Sequence, residues 1–186
     1  MKYKILRSAL VISASLLGML ALAWPLIASK ESGLAFQASA GTYLTAFLLP
    51  VVIAVLVNDL VSTDFTARNF AVLAGVIAVA VALRMVSPGV AGLEPIWLIL
   101  LIAGRALGPT SGFVAGVLSI VASALATGGV GPWLPYQMML AGWIALGAGL
   151  LPRISERIEI WILAAYGAVS GLLFGWAMNL WFWPTA

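Results

Sequence analysis

Residues 93–126 read LEPIWLILLIAGRALGPTSGFVAGVLSIVASALA, and this stretch decides the fold class. It holds two apolar runs, Leu93–Leu107 and Gly112–Ala126, on either side of Gly108-Pro109-Thr110. Proline and glycine together favour a tight turn, so the stretch predicts a hairpin of two apolar helices. At 1.5 Å per residue, fifteen residues cover about 22 Å of a hydrocarbon core about 30 Å thick. We therefore expect two short helices inside a bundle, with their ends in polar cavities.

The rest of the chain is also strongly apolar. Of its 186 residues, 63% are apolar and 8% are charged, whereas soluble domains carry about 25% charged residues. Each membrane crossing needs about 20 apolar residues, so the length suits six to eight helices. The sequence therefore predicts an all-α integral membrane protein, a bundle of about seven short transmembrane helices. The other apolar runs are Ala9–Ile27, Tyr43–Val61, Phe70–Val86, Gln137–Leu151 and Ile160–Trp181.

Several function classes are excluded by residue types that the chain lacks. It has no cysteine and no histidine, so thiolate metal sites, disulfides and the usual proton shuttle near neutral pH are absent. The glycines of Gly128–Gly131 are not followed by the Lys-Ser or Lys-Thr of a phosphate loop. We expect no enzyme, metal, cofactor or nucleic-acid partner. An intramembrane enzyme is the weakest alternative, since no buried acid pair presents itself.

The first apolar run has some features of a signal peptide. Basic residues precede it, and Ala38-Ser39-Ala40 resembles a cleavage site for such a leader. However, Ala9–Ile27 is longer than the roughly 7 to 15 apolar residues usual for a signal-peptide core. We favour a retained helix, with cleavage as the alternative.

Basic residues predict the orientation of the bundle, because they concentrate on the cytoplasmic side. A cytoplasmic N-terminus and seven crossings place the C-terminus outside. Lys30 and Arg84 then fall on the outer side. The seven other basic residues fall inside: Lys2, Lys4, Arg7, Arg68, Arg105, Arg153 and Arg157. We expect a multi-pass protein of the cell membrane with this orientation.

Small residues recur at a spacing of four, which in lipid favours close helix contact. One series is Gly167, Gly171 and Gly175, which we expect to pack within the chain. The other is Ala74, Ala78 and Ala82, which suits either packing within the chain or contact with another subunit.

Polar and aromatic residues near the outer helix ends are candidates for ligand binding, because charges inside a membrane are costly. Two readings of Arg84 and Glu94 stay open: snorkelling and helix capping, or facing an outer cavity where they orient a polar ligand. Likewise, the tryptophans, Trp181 and Trp183 among them, suit interfacial anchoring or stacking on a planar ligand. The candidate substrate-binding residues are Arg84, Glu94, Trp97, Gly131, Trp133, Tyr136, Gln137 and Asn179.

One part of the sequence resembles a known family. The resemblance rests on Gly104-Arg105-Ala106-Leu107-Gly108-Pro109, on Gly112-Phe113 with Gly116, on residues 128–138, GGVGPWLPYQM, and on Gly147–Pro152. These segments resemble the substrate-binding S component of an energy-coupling factor (ECF) vitamin transporter, in particular the actinobacterial type labelled cobalamin-related. The similarity covers roughly Phe70 to Pro184.

The resemblance implies a helical bundle that captures a vitamin from outside, with cobalamin as one candidate. The implied partners are a transmembrane coupling protein and two cytoplasmic ATPases. By the same analogy, Ala74, Ala78 and Ala82 match the Ala-xxx-Ala motif that docks on the coupling protein, and the outer loops, including Gly128–Tyr136, gate the site.

Two departures from the family pattern qualify the resemblance. Residues 1–69 form two additional N-terminal helices, and residues 70–186 form an S-component-like core that ends after its fifth helix, whereas the family has six. We expect either a truncated chain or a partner that supplies the missing surface. A non-transporting membrane scaffold or assembly protein is the alternative function.

Overall fold

The computed structural model describes residues 2–27, 38–61, 66–86 and 94–182 of the chain. Within these ranges the backbone is almost entirely helical and holds no strand, so the prediction of an all-α bundle with seven helices is confirmed. The helices are α1 (Lys2–Ile27), α2 (Ala38–Val61), α3 (Ala67–Val86), α4 (Ile96–Leu107), α5 (Pro109–Thr127), α6 (Leu134–Leu150) and α7 (Glu156–Phe182).

Helix bounds differ from the predicted runs where polar residues or prolines open a helix. Pro109 and Thr110 belong to α5 and not to a turn, because proline at the first helical position loses no needed hydrogen bond. The turn is Gly108 alone, whose φ of 89° favours glycine. Ala38-Ser39-Ala40 forms the first turn of α2. Leu93, predicted to begin α4, lies outside the described residues.

Four segments are long and apolar enough to cross a membrane: Ile5–Ala23, Ala67–Val86, Pro109–Thr127 and Arg157–Asn179. The apolar parts of α2, α4 and α6 that the structure describes are shorter. This supports a multi-pass membrane protein by length and hydropathy.

Helix α5 is the centre of the bundle. Inside it, 61% of residues are buried, against 6% along Arg157–Asn179 of α7. Phe113, Val117 and Ile120 on α5 are fully buried and share a core with Met138 on α6. The same core includes side chains of α1 and α2, among them Val11, Ala14, Leu48, Val52 and Val55. The two N-terminal helices therefore pack on the same bundle as the later helices.

Backbones of α4, α5 and α6 lie in direct contact, which requires glycine. A Cβ atom on Gly116 would lie 2.5 Å from the carbonyl oxygen of Ala141. On Gly112 it would lie 2.6 Å from the Cα of Gly104, and on Gly149 2.6 Å from the Gly104 carbonyl oxygen. In lipid, helix association depends on this kind of close packing. These glycines therefore set the distance between the three central helices.

Among the described residues, hydrogen bonds of Arg7 and Trp143 join α1 to the central helices. The Nη2 atom of Arg7 donates to the Ser111 hydroxyl on α5 at 2.7 Å. The indole Nε1 of Trp143 on α6 donates to the Ser15 hydroxyl at 3.0 Å. Burying a polar group in an apolar setting costs free energy, and a hydrogen-bond partner within the bundle lowers that cost.

Arg105 clamps the ends of three helices. Its Nε atom forms a salt bridge with Glu159 Oε1 on α7 at 2.6 Å. Its Nη1 atom donates to the carbonyl oxygen of Leu151 at 2.6 Å, and Nη2 donates to that of Pro152 at 3.2 Å. The guanidinium, at the last turn of α4, therefore holds the segment after α6 against the start of α7.

These contacts define two ends of the bundle. The Arg7 end holds the first turns of α1, α5 and α7 and the last turns of α4 and α6, joined by the contacts of Arg7 and Arg105. The opposite end, called the Arg84 end, holds the last turn of α3 and the first turn of α6. Which end faces the cytoplasm stays a prediction.

Gly116→Ala is expected to destabilise the bundle, because the added methyl group meets the Ala141 backbone. Overpacking of this kind costs about 1–3 kcal/mol. The matched control is Gly75→Ala on α3, where an added Cβ meets nothing within 4 Å. Thermal unfolding in detergent, followed by tryptophan fluorescence, should show a lower midpoint for Gly116→Ala alone. Equal midpoints for the two variants would refute the close contact.

Arg105→Gln is expected to lower the thermal midpoint more than Arg157→Gln, because Arg157 is exposed on α7. Arg105→Lys should also lower it, since one ammonium group cannot replace a planar fork that bonds to three acceptors. The same unfolding assay checks this. An Arg105→Lys variant as stable as the wild-type chain would contradict the role of the three contacts made by the guanidinium.

Candidate functional site

Arg84 points into the bundle at the end of α3. Its Nη2 atom donates to the side-chain oxygen Oε1 of Gln137, in the first turn of α6, at 3.0 Å. Its Nη1 atom is buried and has no hydrogen-bond partner among the described residues. A snorkelling arginine would instead direct its guanidinium to the lipid headgroups. The geometry therefore favours an inward role for Arg84.

Glu94 lies two residues before α4 and carries a buried carboxylate oxygen. Its backbone carbonyl accepts a hydrogen bond from the Trp97 N–H at 3.2 Å. The Oε2 atom has no partner in the described part of the chain. Pro95 occupies the N-cap position of α4, which has no side-chain capping hydrogen bond. Helix capping by a side chain therefore does not account for the Glu94 carboxylate.

The Arg84 end thus holds two groups of opposite charge, each with a buried atom that lacks a partner. An unsatisfied buried polar atom costs about 1–3 kcal/mol, and more when the group is charged. Most buried polar atoms in native structures bond to a protein group or an ordered water, so each exception calls for an explanation. In membrane segments, inward ionisable residues are functional-site candidates by default, and substrate binding is one such function. The pair Arg84 and Glu94 is therefore the strongest site candidate in the described residues.

Of the candidate aromatic residues, Trp97 is held by α7. Its ring lies 4.5 Å from that of Phe174, centroid to centroid, at an angle of 59°. Such tilted pairs are favourable and fix both rings. Sequence reasoning missed Phe174, because no local pattern distinguishes it from the other apolar residues of α7. Trp97 therefore forms part of the wall between α4 and α7.

The loop before α6 supplies a second aromatic side chain. A Cβ atom on Gly131 would lie 2.5 Å from the Trp133 ring, so a residue with a side chain at position 131 would clash with that ring. Trp133 remains 40% exposed, whereas Tyr136 is buried. Thus Gly131 and Trp133 lie in contact just before α6, and Tyr136 and Gln137 lie in its first turn.

The structure brings some candidates together and leaves others apart. Arg84 and Gln137 are in direct contact. Asn179 is exposed near the end of α7, and no described hydrogen bond joins it to the others. The side chain of Trp181 and all of Trp183 lie outside the described residues, so their interfacial role stays a prediction.

The alanine series lies on the outer surface of α3. Ala74, Ala78 and Ala82 are all exposed, whereas Leu73 and Ala80 are the residues of α3 that are buried. We call these three residues the alanine face. Packing against the described residues therefore does not explain their spacing, and contact with another subunit stays a prediction.

The glycine series of α7 is packed only at its first member. A Cβ atom added to Gly167 would lie 2.7 Å from the Leu101 side chain of α4. A Cβ atom added to Gly171 or to Gly175 would have no neighbouring atom within 4 Å. The expectation that all three pack within the chain is wrong for Gly171 and Gly175. Helix α7 stays in contact with α4 along that stretch through Phe174, but Gly171 and Gly175 lie on a side of the helix where no described neighbour approaches.

Comparison of the chain with protein-family models, with curated proteins and with solved structures finds no match. Among the described residues, no group of three or more acidic side chains could hold a metal ion. The function must therefore be argued from the residues themselves.

A double-mutant cycle should detect the bond between Arg84 and Gln137. Arg84→Met, Gln137→Met and the double variant are expected to show a coupling of about 0.5–2 kcal/mol, the range for hydrogen bonds between membrane helices and to charged groups. Thermal or denaturant unfolding in detergent supplies the energies. The control cycle pairs Arg84→Met with Asn179→Leu, which should be additive. Additivity in both cycles would show that the bond does not form.

Proposed function

We propose that the chain is the substrate-binding S component of an ECF-type importer, which captures a vitamin or related micronutrient from outside the cell. Cobalamin is one candidate ligand. The observation that carries the proposal is the pair of inward charges at the Arg84 end, where Arg84 Nη1 and Glu94 Oε2 are buried without described partners. A ligand that bonds to both groups would remove their cost.

The elements around the two charges fit a capture site. The glycine-rich segment before α6 ends at Trp133, whose ring is exposed and so accessible to an arriving solute. Trp97, near the start of α4, forms an apolar contact with Phe174 of α7. Ligand sites of this kind are mostly apolar, with a few placed polar groups. Arg84, Glu94 and Gln137 are those groups in the proposed site.

The alanine face supports the second half of the proposal, docking on a coupling protein. Its methyl groups leave the backbone of α3 open to a partner helix, and small residues at a spacing of four mark such contacts in lipid. The proposed partners are a transmembrane coupling protein and two cytoplasmic ATPases. Energy for uptake then comes from those ATPases, and the chain performs no chemical reaction itself.

A membrane scaffold or assembly protein is the competing proposal, and the same exposed alanine face favours it. The two functions differ in one respect that can be measured. A scaffold needs a partner but no small-molecule ligand, so the charges at the Arg84 end would then serve packing only.

Co-purification tests the docking half of the proposal. The full chain, expressed with an ECF coupling protein and its ATPases, is expected to be recovered in one complex. Ala78→Leu should remove most of that complex, because a larger side chain separates the helices. The control is Ala165→Leu, an equal change at an exposed position on α7, which should leave the complex intact. Loss of the complex in neither variant would refute docking through the alanine face.

A further inference from the structure

The contact between Arg84 and Gln137 sets up two hydrogen-bond donors side by side. Arginine only donates, so the Gln137 amide must turn its oxygen toward the guanidinium. Its N–H groups are then left for another acceptor. Arg84 Nη1 is a second donor, buried and without a described partner. Two adjacent donors, one of them charged, suit an anionic oxygen group.

Glu94 requires a hydrogen-bond donor from the ligand, whereas Arg84 and Gln137 require an acceptor. An ionised carboxylate only accepts hydrogen bonds, so the group facing its buried Oε2 must carry an N–H or O–H. Glu94 precedes α4 and Arg84 ends α3, so the two charges lie at the same end of neighbouring helices. A molecule that reaches both residues meets donors at Arg84 and Gln137 and an acceptor at Glu94.

The charges decide which class of ligand fits. A neutral, purely apolar molecule would leave Arg84 Nη1 and Glu94 Oε2 without a partner, and a simple cation would leave Arg84 Nη1 without an acceptor. A molecule with an anionic oxygen and a separate donor group satisfies both. Specificity of this type is strong, because analogues that lack one group leave a buried charge unpaired.

The geometry points to a substrate class: the captured micronutrient is an organic anion whose carboxylate or phosphate oxygen bonds to Arg84 and Gln137, and whose N–H or O–H group donates to Glu94. This assignment rests on the proposed function, because it names the ligand of the same site. It adds that charge, and not only ring shape, selects the ligand.

Metabolite capture tests the assignment. The full chain, purified in detergent and immobilised, is incubated with a yeast-extract metabolite mixture, washed and eluted, and retained compounds are identified by mass spectrometry with fragmentation. The expected retained compound carries an anionic oxygen and a donor group. A neutral or cationic compound, or a phospholipid from the membrane, would overturn the assignment while showing that the chain binds a small molecule.

Variants then connect the ligand to the residues. Arg84→Met should reduce the retained compound by about tenfold to hundredfold, the loss expected for one charge-assisted hydrogen bond. Glu94→Gln should also reduce retention. The control is Arg68→Met, the same substitution on the same helix, at an exposed position of the Arg7 end. An anion retained equally by Arg84→Met and Arg68→Met would overturn the assignment.

Failure of the proposed function gives a different result. If neither the wild-type chain nor Arg68→Met retains any compound, while both remain monodisperse with equal thermal midpoints, then the chain is not a capture subunit and the assignment falls with it. The chemistry of the compound retained by the wild-type chain does not depend on any variant, so misfolding of Arg84→Met cannot hide a wrong assignment.

Discussion

Backbone contact among α4, α5 and α6 is the constraint on which the rest of the structure depends. In lipid, apolar side chains gain little by turning from acyl chains to other helices, so association needs close packing and hydrogen bonds. Glycines such as Gly104, Gly112 and Gly116 permit that packing, and larger side chains would meet a neighbouring backbone. Once these three helices are fixed, α1 joins through hydrogen bonds of Arg7 and Trp143, and α7 joins through Arg105.

The two ends of the bundle use charge differently. At the Arg7 end, the Arg105 guanidinium is satisfied by a carboxylate and two carbonyl oxygens, so its charge stabilises the meeting of three helices. At the Arg84 end, Arg84 has one described partner and Glu94 Oε2 has none. The described hydrogen bonds therefore satisfy Arg105 more fully than Arg84, and under the proposed function the open donor of Arg84 serves the ligand.

The number, order and approximate bounds of the helices could be predicted, because apolar runs and Gly-Pro signals are local properties of the sequence. The contacts could not. Arg84 and Gln137 are 53 positions apart, and their pairing depends on how α3 and α6 are rotated. Small-residue spacing was equally ambiguous, since similar patterns are buried at Gly112 and Gly116 but exposed on the alanine face. Only neighbouring helices distinguish these cases, and hydropathy contains no information about them.

Helix α3 carries both halves of the proposed function. The alanine face ends at Ala82, and Arg84 follows within the same turn but points inward to α6. One side of the helix is therefore open for a partner while the other side reaches the charges. Under the proposed function, a ligand that bonds to Arg84 contacts the last turn of the same helix that presents the alanine face, so capture and docking would involve one element.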